Sequence, residues 1–394
     1  MFNKRRVPSK LFPSIKLSFR TKFFAGIIVL LALTANAFAV ETNQNAAPKF
    51  LGMNSCSSSS CHGGAAEKRD ECVIFSKRDF HSRAFATLTT ARSERMAEVL
   101  GIQSAVKDAS CTSCHAPFQT VPVALQANKL DITKGVSCES CHGPAEDWIR
   151  SHTRPDFSYA DRVNSGMRDL KNLYVRANAC VACHQNVPQR LLAAGHPELI
   201  FELDGQAVSQ PKHWTEAADW NGAQAWLVGQ AVALRELSWQ LAREEPPTER
   251  EINRFKGLVW LMTVASEVNP KFPKPSDTNF RPTKENFEKA QKWSDELAKV
   301  AASISWNNAL TKELLAALSN PENGISDTVG QPVRARRAER LVLALERLVL
   351  ASNNQVKLAT DSELNELFSL VQSLPDFDPA RFADALKKFS AKLH

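Results

Sequence analysis

The sequence predicts a mainly α-helical protein, in which an N-terminal half rich in cysteine and histidine, with little regular β structure, precedes an α-helical bundle. From about residue 216 onward, apolar residues recur with the period of a helix, and proline-rich segments separate the periodic stretches. Before that point, eight of the nine cysteines stand in close pairs, and a histidine directly follows each pair. We therefore expect three parts, at residues 1–39, 40–215 and 216–394.

Residues 1–39 have the pattern of an export signal. Basic residues precede an apolar run at 23–33, and Ala37 and Ala39 supply the small side chains of a cleavage site. We expect export to the periplasm through the general secretory route. An uncleaved anchor is the alternative, although the run is short for a full membrane span, and it is the only membrane contact that we expect.

This leader also accounts for the charge of the chain. The formal net charge is +7, and residues 1–39 hold seven basic residues and no acidic one. The remaining chain is formally near neutral, so it lacks the broad basic field of a nucleic-acid-binding protein, and we expect no nucleic-acid partner.

Three segments have the spacing Cys-x-x-Cys-His. Two thiols one backbone turn apart can each add to a porphyrin vinyl group, and the next imidazole can then ligate the iron. A zinc ribbon needs no histidine after every pair, and a redox dithiol needs only one pair. We therefore predict haem c bound covalently at three motifs: Cys111, Cys114 and His115; Cys138, Cys141 and His142; and Cys180, Cys183 and His184.

A fourth motif is expanded, with four serines between Cys56 and Cys61 before His62. A small, flexible serine loop can bulge outward and leave both sulfurs near the vinyl groups. A serine-rich linker or a single-thioether site is the alternative, but the intact Cys-His ending leads us to count four haems. Cys72 is left over, and we interpret it as a buried structural thiol.

Four internal histidines remain for the four predicted irons, since His394 is the C-terminal residue. They are confined to the same half of the chain as the motifs, which makes them candidates for the sixth iron ligand. Such bis-histidine irons suit electron transfer, whereas an iron without a sixth protein ligand can bind a small molecule. The candidates are His81, His152 in a short helix at 144–152, His196 in a turn, and His213 beside a tryptophan.

These strings resemble the tetrahaem cytochrome c554 family over roughly residues 50–215. The resemblance is carried by the four motifs, by the segment from Gly135 to Pro144, by His81 in His-x-x-Ala-Phe, and by the segments 195–203 and 212–214. It implies haems in close pairs, with His152 at the first haem, His81 at the fourth and His213 at the third. The second haem of the type member is five-coordinate, so the role of His196 stays open. The expanded first motif and the long C-terminal half depart from the family.

The C-terminal half is expected to pack as a helical bundle against the haem core. An arginine cluster at 334, 336, 337 and 340 is interpreted as a solvated face, with pairing to haem propionates or to an acidic partner as the alternative. Seven amphipathic helices are predicted, at 218–244, 249–266, 284–303, 308–319, 333–352, 362–374 and 379–393.

The leading functional hypothesis is a periplasmic tetrahaem cytochrome that transfers electrons between redox partner proteins through bis-histidine haems. The alternative is a multihaem oxidoreductase that acts on a small nitrogen or sulfur compound at one open haem. A structural subunit of a larger redox complex is a third and weaker interpretation.

Overall fold

A computed structural model describes residues 47–394, except for 217, 244, 245, 278, 279, 324, 326–328, 353 and 394. The described chain is mainly helical, as predicted. One isolated bridge, between Phe50 and Gln126, is the only β feature in this part of the chain. Among the described residues, none of the helices combines the length and the apolar composition that crossing a membrane requires.

The cysteine-rich half consists of short helices joined by turns. Its longest helix, α7, reaches twelve residues, and single 3₁₀ turns fill several of the connections. The α-helices are α1 (Glu71–Arg78), α2 (Ala84–Thr87), α3 (Ala91–Leu100), α4 (Ala109–His115), α5 (Cys138–His142), α6 (Tyr159–Asn164), α7 (Leu173–His184), α8 (Gln189–Ala193) and α9 (Leu203–Ser209).

In the described part of the C-terminal half, a helix lies at each of the seven places that the apolar periodicity predicts. Polar caps set several boundaries, since Asn221 accepts hydrogen bonds from the first turn of α10, and Thr248 forms a capping box with Glu251 at the start of α11. The helices are α10 (Gly222–Leu241), α11 (Glu249–Glu267), α12 (Lys284–Ser303), α13 (Asn308–Ser319), α14 (Gln331–Ala351), α15 (Asn354–Leu370) and α16 (Pro379–Ala391).

Helix α10 lies at the centre of the bundle and is buried on nearly all sides. It packs against α12, α11 and α14 of the same half, and against α7 and α9 of the cysteine-rich half. Gly229 permits the contact with α9, because a Cβ there would lie 2.7 Å from the Cβ of Leu203. Small residues on α10 therefore let the neighbouring helices approach closely.

The two halves share one hydrophobic core. Leu173, Ala177 and Val181 of α7 belong to the same buried cluster as the bundle helices, and the chain from Pro48 onward forms one compact unit. Polar contacts reinforce the junction, since the Tyr174 hydroxyl donates to Asp295 at 2.7 Å and Arg235 bonds to the same carboxylate at 3.1 Å. The helix that carries the fourth motif is thus anchored in the bundle. The predicted boundaries at 39 and 215 stay predictions.

Two local predictions differ from the structure. Residues 144–150 form turns and Ser151–Thr153 a single 3₁₀ turn, rather than one regular helix, because the i→i−4 bonds of Ile149 and His152 are not consecutive. Helix α15 begins at Asn354 and not at residue 362. Its first turns carry exposed residues such as Leu358, so the apolar pattern is weak where this helix begins.

Candidate functional site

Each regular motif occupies the C-terminal turn of an α-helix. Helices α4, α5 and α7 end on His115, His142 and His184, respectively. A helical turn brings residues three apart to the same side, so both thiols of a pair face one region and the histidine follows directly. Polar caps start two of these helices, Asp108 for α4 and Asn172 for α7.

The expanded first motif lies in a series of turns instead of a helix. Ser58, like the two serines after it, is exposed, and its carbonyl accepts the backbone N–H groups of Cys61 and Gly63, both at 2.9 Å. The N–H of His62 donates to the carbonyl of Cys56 at 3.2 Å. The serine loop thus extends outward and closes on itself.

Four pairs of histidine rings form the central feature of this half. Every pair combines the histidine of one motif with one of the other four internal histidines. The ring centroids are 6.1 Å apart for His62 and His152, 6.5 Å for His115 and His196, 6.5 Å for His142 and His213, and 5.8 Å for His184 and His81. We call these pairs the first, second, third and fourth sites, in the order of their motifs.

This spacing fits two imidazoles that share one metal ion. Metal–nitrogen bonds of about 2 Å on either side of the ion, with each ring centre roughly 1 Å further out, separate the centroids by about 6 Å. A porphyrin would supply the other four ligands, and the adjacent cysteines would tether it. The pairs at the first, third and fourth sites are those that the family resemblance implies. At the second site, His196 lies opposite His115. Iron ligation itself stays a prediction.

The relative orientation of the rings distinguishes the first site from the others. The planes of His62 and His152 are nearly parallel, at 17°. The planes at the second, third and fourth sites are nearly perpendicular, at 73°, 69° and 78°. Ring orientation determines how the two imidazoles share the iron d orbitals, so the first site should have its own spectroscopic signature.

His196 is held in place by backbone contacts. It lies in the turn after α8, where its N–H donates to the carbonyl of Leu191 at 2.9 Å. Arg92 of α3 donates to the neighbouring Gly195 carbonyl at 2.7 Å, and Nδ1 of His196 lies 2.8 Å from the Pro197 carbonyl. These bonds fix the turn that brings the ring to His115.

The other imidazoles differ in what contacts Nδ1, the nitrogen that stays free when Nε2 ligates a metal. Carboxylates are the partners at His62, where Oε2 of Glu71 lies at 2.9 Å, and at His81, where Oδ1 of Asp79 lies at 2.9 Å. Neutral oxygens are the partners at His115 (Ala84 carbonyl, 3.1 Å, and Thr87 hydroxyl, 2.9 Å) and at His152 (Ile149 carbonyl, 2.6 Å).

The third and fourth sites complete this pattern. Nδ1 of His213 is buried and has no hydrogen-bond partner in the described chain, and Trp214 packs edge-on against the ring at 5.1 Å. Nε2 of Gln206 lies 3.4 Å from Nδ1 of His184. If His184 ligates iron through Nε2, its Nδ1 carries a proton, so the Gln206 amide must present its oxygen instead.

Burial favours the neutral form of four of the imidazoles. It lowers the pKa of His142 to about 4, with further lowering by the positive charges that His213 and His62 would carry. Burial is also the main cause of the lowered pKa of His115, His184 and His213. A neutral imidazole is the form that binds a metal, so these rings are available as ligands at neutral pH.

Some cysteines of different motifs lie close to one another, which shows which sites are neighbours. The thiols of Cys56 and Cys138 interact, which joins the first site to the third, and those of Cys114 and Cys183 join the second to the fourth. Cys141 of the third motif lies close enough to Cys180 of the fourth to act on it electrostatically. The order along the row is therefore first, third, fourth, second.

Glu139, inside the third motif, connects this site to two distant segments. Its carboxylate is 1% exposed and accepts the backbone N–H groups of Leu51 at 3.0 Å, Gly52 at 2.7 Å and Ala145 at 2.8 Å. Leu51 and Gly52 precede the first motif, and Ala145 begins the segment that leads to His152. Sequence reasoning missed this residue, since nothing local distinguishes it from other residues between paired cysteines.

Gly135 permits the approach of another segment to the third motif. A Cβ there would lie 2.5 Å from the carbonyl oxygen of His81, and its φ of 65° with ψ of −131° is accessible almost only to glycine. The N–H of Val136 then donates to the same carbonyl at 3.1 Å. The glycine thus brings the His81 segment against the start of the third motif.

Cys72 is buried, as predicted. Its thiol interacts with that of Cys138, and together with burial this contact raises the pKa of Cys72 well above its ordinary value. The neutral thiol packs with Met53 and Phe75 in a small apolar cluster.

The arginine cluster on α14 is not the solvated face that we predicted. Arg336 bonds to Glu339 at 2.9 Å and to Glu198 at 3.1 Å, and Arg340 is 3% exposed. The prediction was wrong because this side of α14 packs on α11, where the backbone of Arg336 faces Gly257. Glu198 lies two residues after His196, so its bond with Arg336 of the bundle also stabilises the turn that carries the His196 ring.

Comparison with known protein families gives a match over part of the chain. Residues 55–143 match the family model described as "Cytochrome c554 and c-prime", and this range contains the first three motifs. No curated protein and no solved structure matches the chain. The predicted resemblance is confirmed over these residues, and its extension toward residue 215 stays a prediction. Residues 55–143 are thus similar to the cytochrome c554 family, and this similarity supports a c-type cytochrome that binds haem c covalently and takes part in electron transfer.

Proposed function

We propose that the protein is a periplasmic tetrahaem cytochrome that carries electrons between a donor and an acceptor protein. The observation that carries this proposal is the set of four histidine pairs, each 5.8–6.5 Å between ring centroids. Each pair stands beside one cysteine motif, so each of the four motifs would have a second imidazole available for its iron.

The residues have distinct roles in this proposal. The eight motif cysteines would form the thioethers, and the eight paired histidines would ligate the irons. Bound haem would supply a one-electron couple. With two fixed imidazoles as ligands, the coordination of the iron would change little between the oxidation states, which favours fast electron transfer. Because cysteines of neighbouring motifs lie close together, the four sites would be close enough to form a continuous path.

The pairing at the second site favours a carrier over an enzyme. An open haem would need a free sixth position, and His196 faces His115 at a ring separation of 6.5 Å, like that at the third site. The bonds from Arg92 and to Leu191 hold its turn in place. The family resemblance alone leaves this position open, so the geometry of His196 supports the carrier.

Export rests on the sequence alone, since the predicted leader lies outside the described residues. The basic n-region, the apolar run and the small residues at 37 and 39 support secretion through the general route. Covalent haem at several motifs agrees with that location, and the donor and acceptor would be redox proteins that reach the same compartment.

The haem content and the ligand reactivity of the purified holoprotein test this proposal. We expect four haems per chain by pyridine haemochrome assay and intact mass, and an optical spectrum that cyanide, nitrite and nitric oxide leave unchanged. Fewer than four haems would contradict the tetrahaem assignment. A high-spin band that shifts with any of these ligands would contradict the carrier and support an open second haem.

A further inference from the structure

The hydrogen-bond partners of the axial imidazoles divide the four sites into two classes. At the first and fourth sites, one imidazole faces a carboxylate, from Glu71 and Asp79 respectively, with Nδ1–oxygen distances of 2.9 Å. At the second site, both imidazoles face only neutral oxygens. At the third site, Nδ1 of His213 has no partner among the described residues.

A carboxylate partner changes the electronic character of its imidazole. The carboxylate draws the Nδ1 proton toward itself, so the ring becomes a stronger electron donor to the metal. Stronger donation stabilises ferric over ferrous iron and lowers the reduction potential. A carbonyl or hydroxyl partner has a weaker effect, and an imidazole without a partner has none.

We propose that Glu71 and Asp79 are positioning residues that lower the potentials of the first and fourth haems below those of the second and third. The inference rests on the tetrahaem function proposed above. Because the sites follow one another in the order first, third, fourth, second, the potentials alternate between low and high along the row. Each low-potential haem then has a high-potential neighbour.

The surroundings of Asp79 position its carboxylate against the ring at the fourth site. Asp79 is 4% exposed. Its Oδ1 accepts the backbone N–H of His81 and lies beside Nδ1 of the same residue, both at 2.9 Å. The backbone bond therefore holds the carboxylate at the imidazole.

The third site has a different electrostatic environment. Arg168 donates to the carbonyl oxygens of Ser140 and Cys141, at 2.7 and 2.8 Å, so a cation lies on the third motif. The charges of Asp79 and Glu71 also reach His213, but without a hydrogen bond to its ring. The nearby guanidinium favours the reduced haem, which places the third potential above its two neighbours in the row.

Potentiometric titration followed by electron paramagnetic resonance tests this proposal at fixed pH. The nearly parallel rings of the first site give it a signal distinct from the other three. Glu71→Gln should raise the potential of this signal alone, with about a tenfold increase in the ratio of reduced to oxidised haem, or about 59 mV for a one-electron couple. Asp79→Asn keeps an oxygen for the His81 backbone and should raise one of the other three by a similar shift.

Glu67→Gln is the matched control, since Glu67 is an exposed acid four residues before Glu71 and no bond to an imidazole involves it. Equal shifts in Glu67→Gln and Glu71→Gln would overturn the proposal, as would unchanged potentials in both Glu71→Gln and Asp79→Asn. If a variant loses its haem, the reduction potentials of the unaltered protein test the proposal instead. The first haem must then have a lower potential than at least two of the others. Four low-spin haems with unshifted potentials would refute this inference and leave the carrier function standing.

Discussion

Glu139→Gln should destabilise the protein and loosen the ligand of the first haem. The variant keeps the shape of the side chain but replaces one carboxylate oxygen with an amide that faces backbone N–H groups. Three N–H groups, of Leu51, Gly52 and Ala145, bond to this buried carboxylate. Hydrogen bonds to charged groups contribute about 1.5–3 kcal/mol each, and part of that offsets the burial of the charge. We expect a loss of about 3 kcal/mol in the free energy of unfolding.

Guanidinium unfolding of the holoprotein, followed by far-ultraviolet circular dichroism, measures this loss. The matched control is Glu146→Gln, because Glu146 also accepts a backbone N–H, from Lys49 at 2.8 Å, but lies exposed. The control should cost less than about 0.5 kcal/mol. Since Ala145 begins the segment that leads to His152, only Glu139→Gln should also produce a high-spin fraction. Equal effects of both variants would refute the role assigned to Glu139.

Two further predictions concern backbone conformation and a buried carboxylate. Gly135→Ala should lower the free energy of unfolding by about 2–4 kcal/mol, because it adds a clash with the His81 carbonyl to a strained conformation. The control Gly101→Ala, whose Cβ would meet open space, should lower it by about 1 kcal/mol. Equal losses in guanidinium unfolding would contradict the close approach at Gly135. Burial raises the pKa of Glu202 to about 7. Above about pH 4.5 the folded state therefore binds more protons than the unfolded state. The free energy of unfolding should fall by about 2 kcal/mol as the pH rises from there through 7. Glu202→Gln should flatten this dependence in unfolding curves between pH 5 and 8, and an unchanged slope would contradict it.

Much of the fold was predictable because its signals are local. The C-terminal helices follow from an apolar period of 3.6 residues, and caps such as Asn221 and Thr248 lie next to the helices that they start. The cysteine motifs are equally local, since five residues contain both thiols and one ligand. The count of internal histidines gave the candidates for the remaining ligands, and the family resemblance gave three of the four pairings.

The features that sequence reasoning missed depend on contacts between distant residues. Glu139 bonds to residues 87 and 88 positions away, and no spacing rule indicates such partners. Arg336 and Arg340 have the composition of a solvated face, but the packing of α14 on α11 buries them. The carboxylate partners of His62 and His81 are near in sequence, yet only the fold shows that they reach Nδ1.

The electron paramagnetic resonance spectrum of the fully oxidised holoprotein tests the central claim most directly. Four bis-histidine haems should give only low-spin signals, one from the nearly parallel rings of His62 and His152 and three from the nearly perpendicular pairs. A high-spin ferric signal that accounts for one haem per chain would contradict the account. It would mean that one histidine pair, foremost His115 and His196, does not close around its iron.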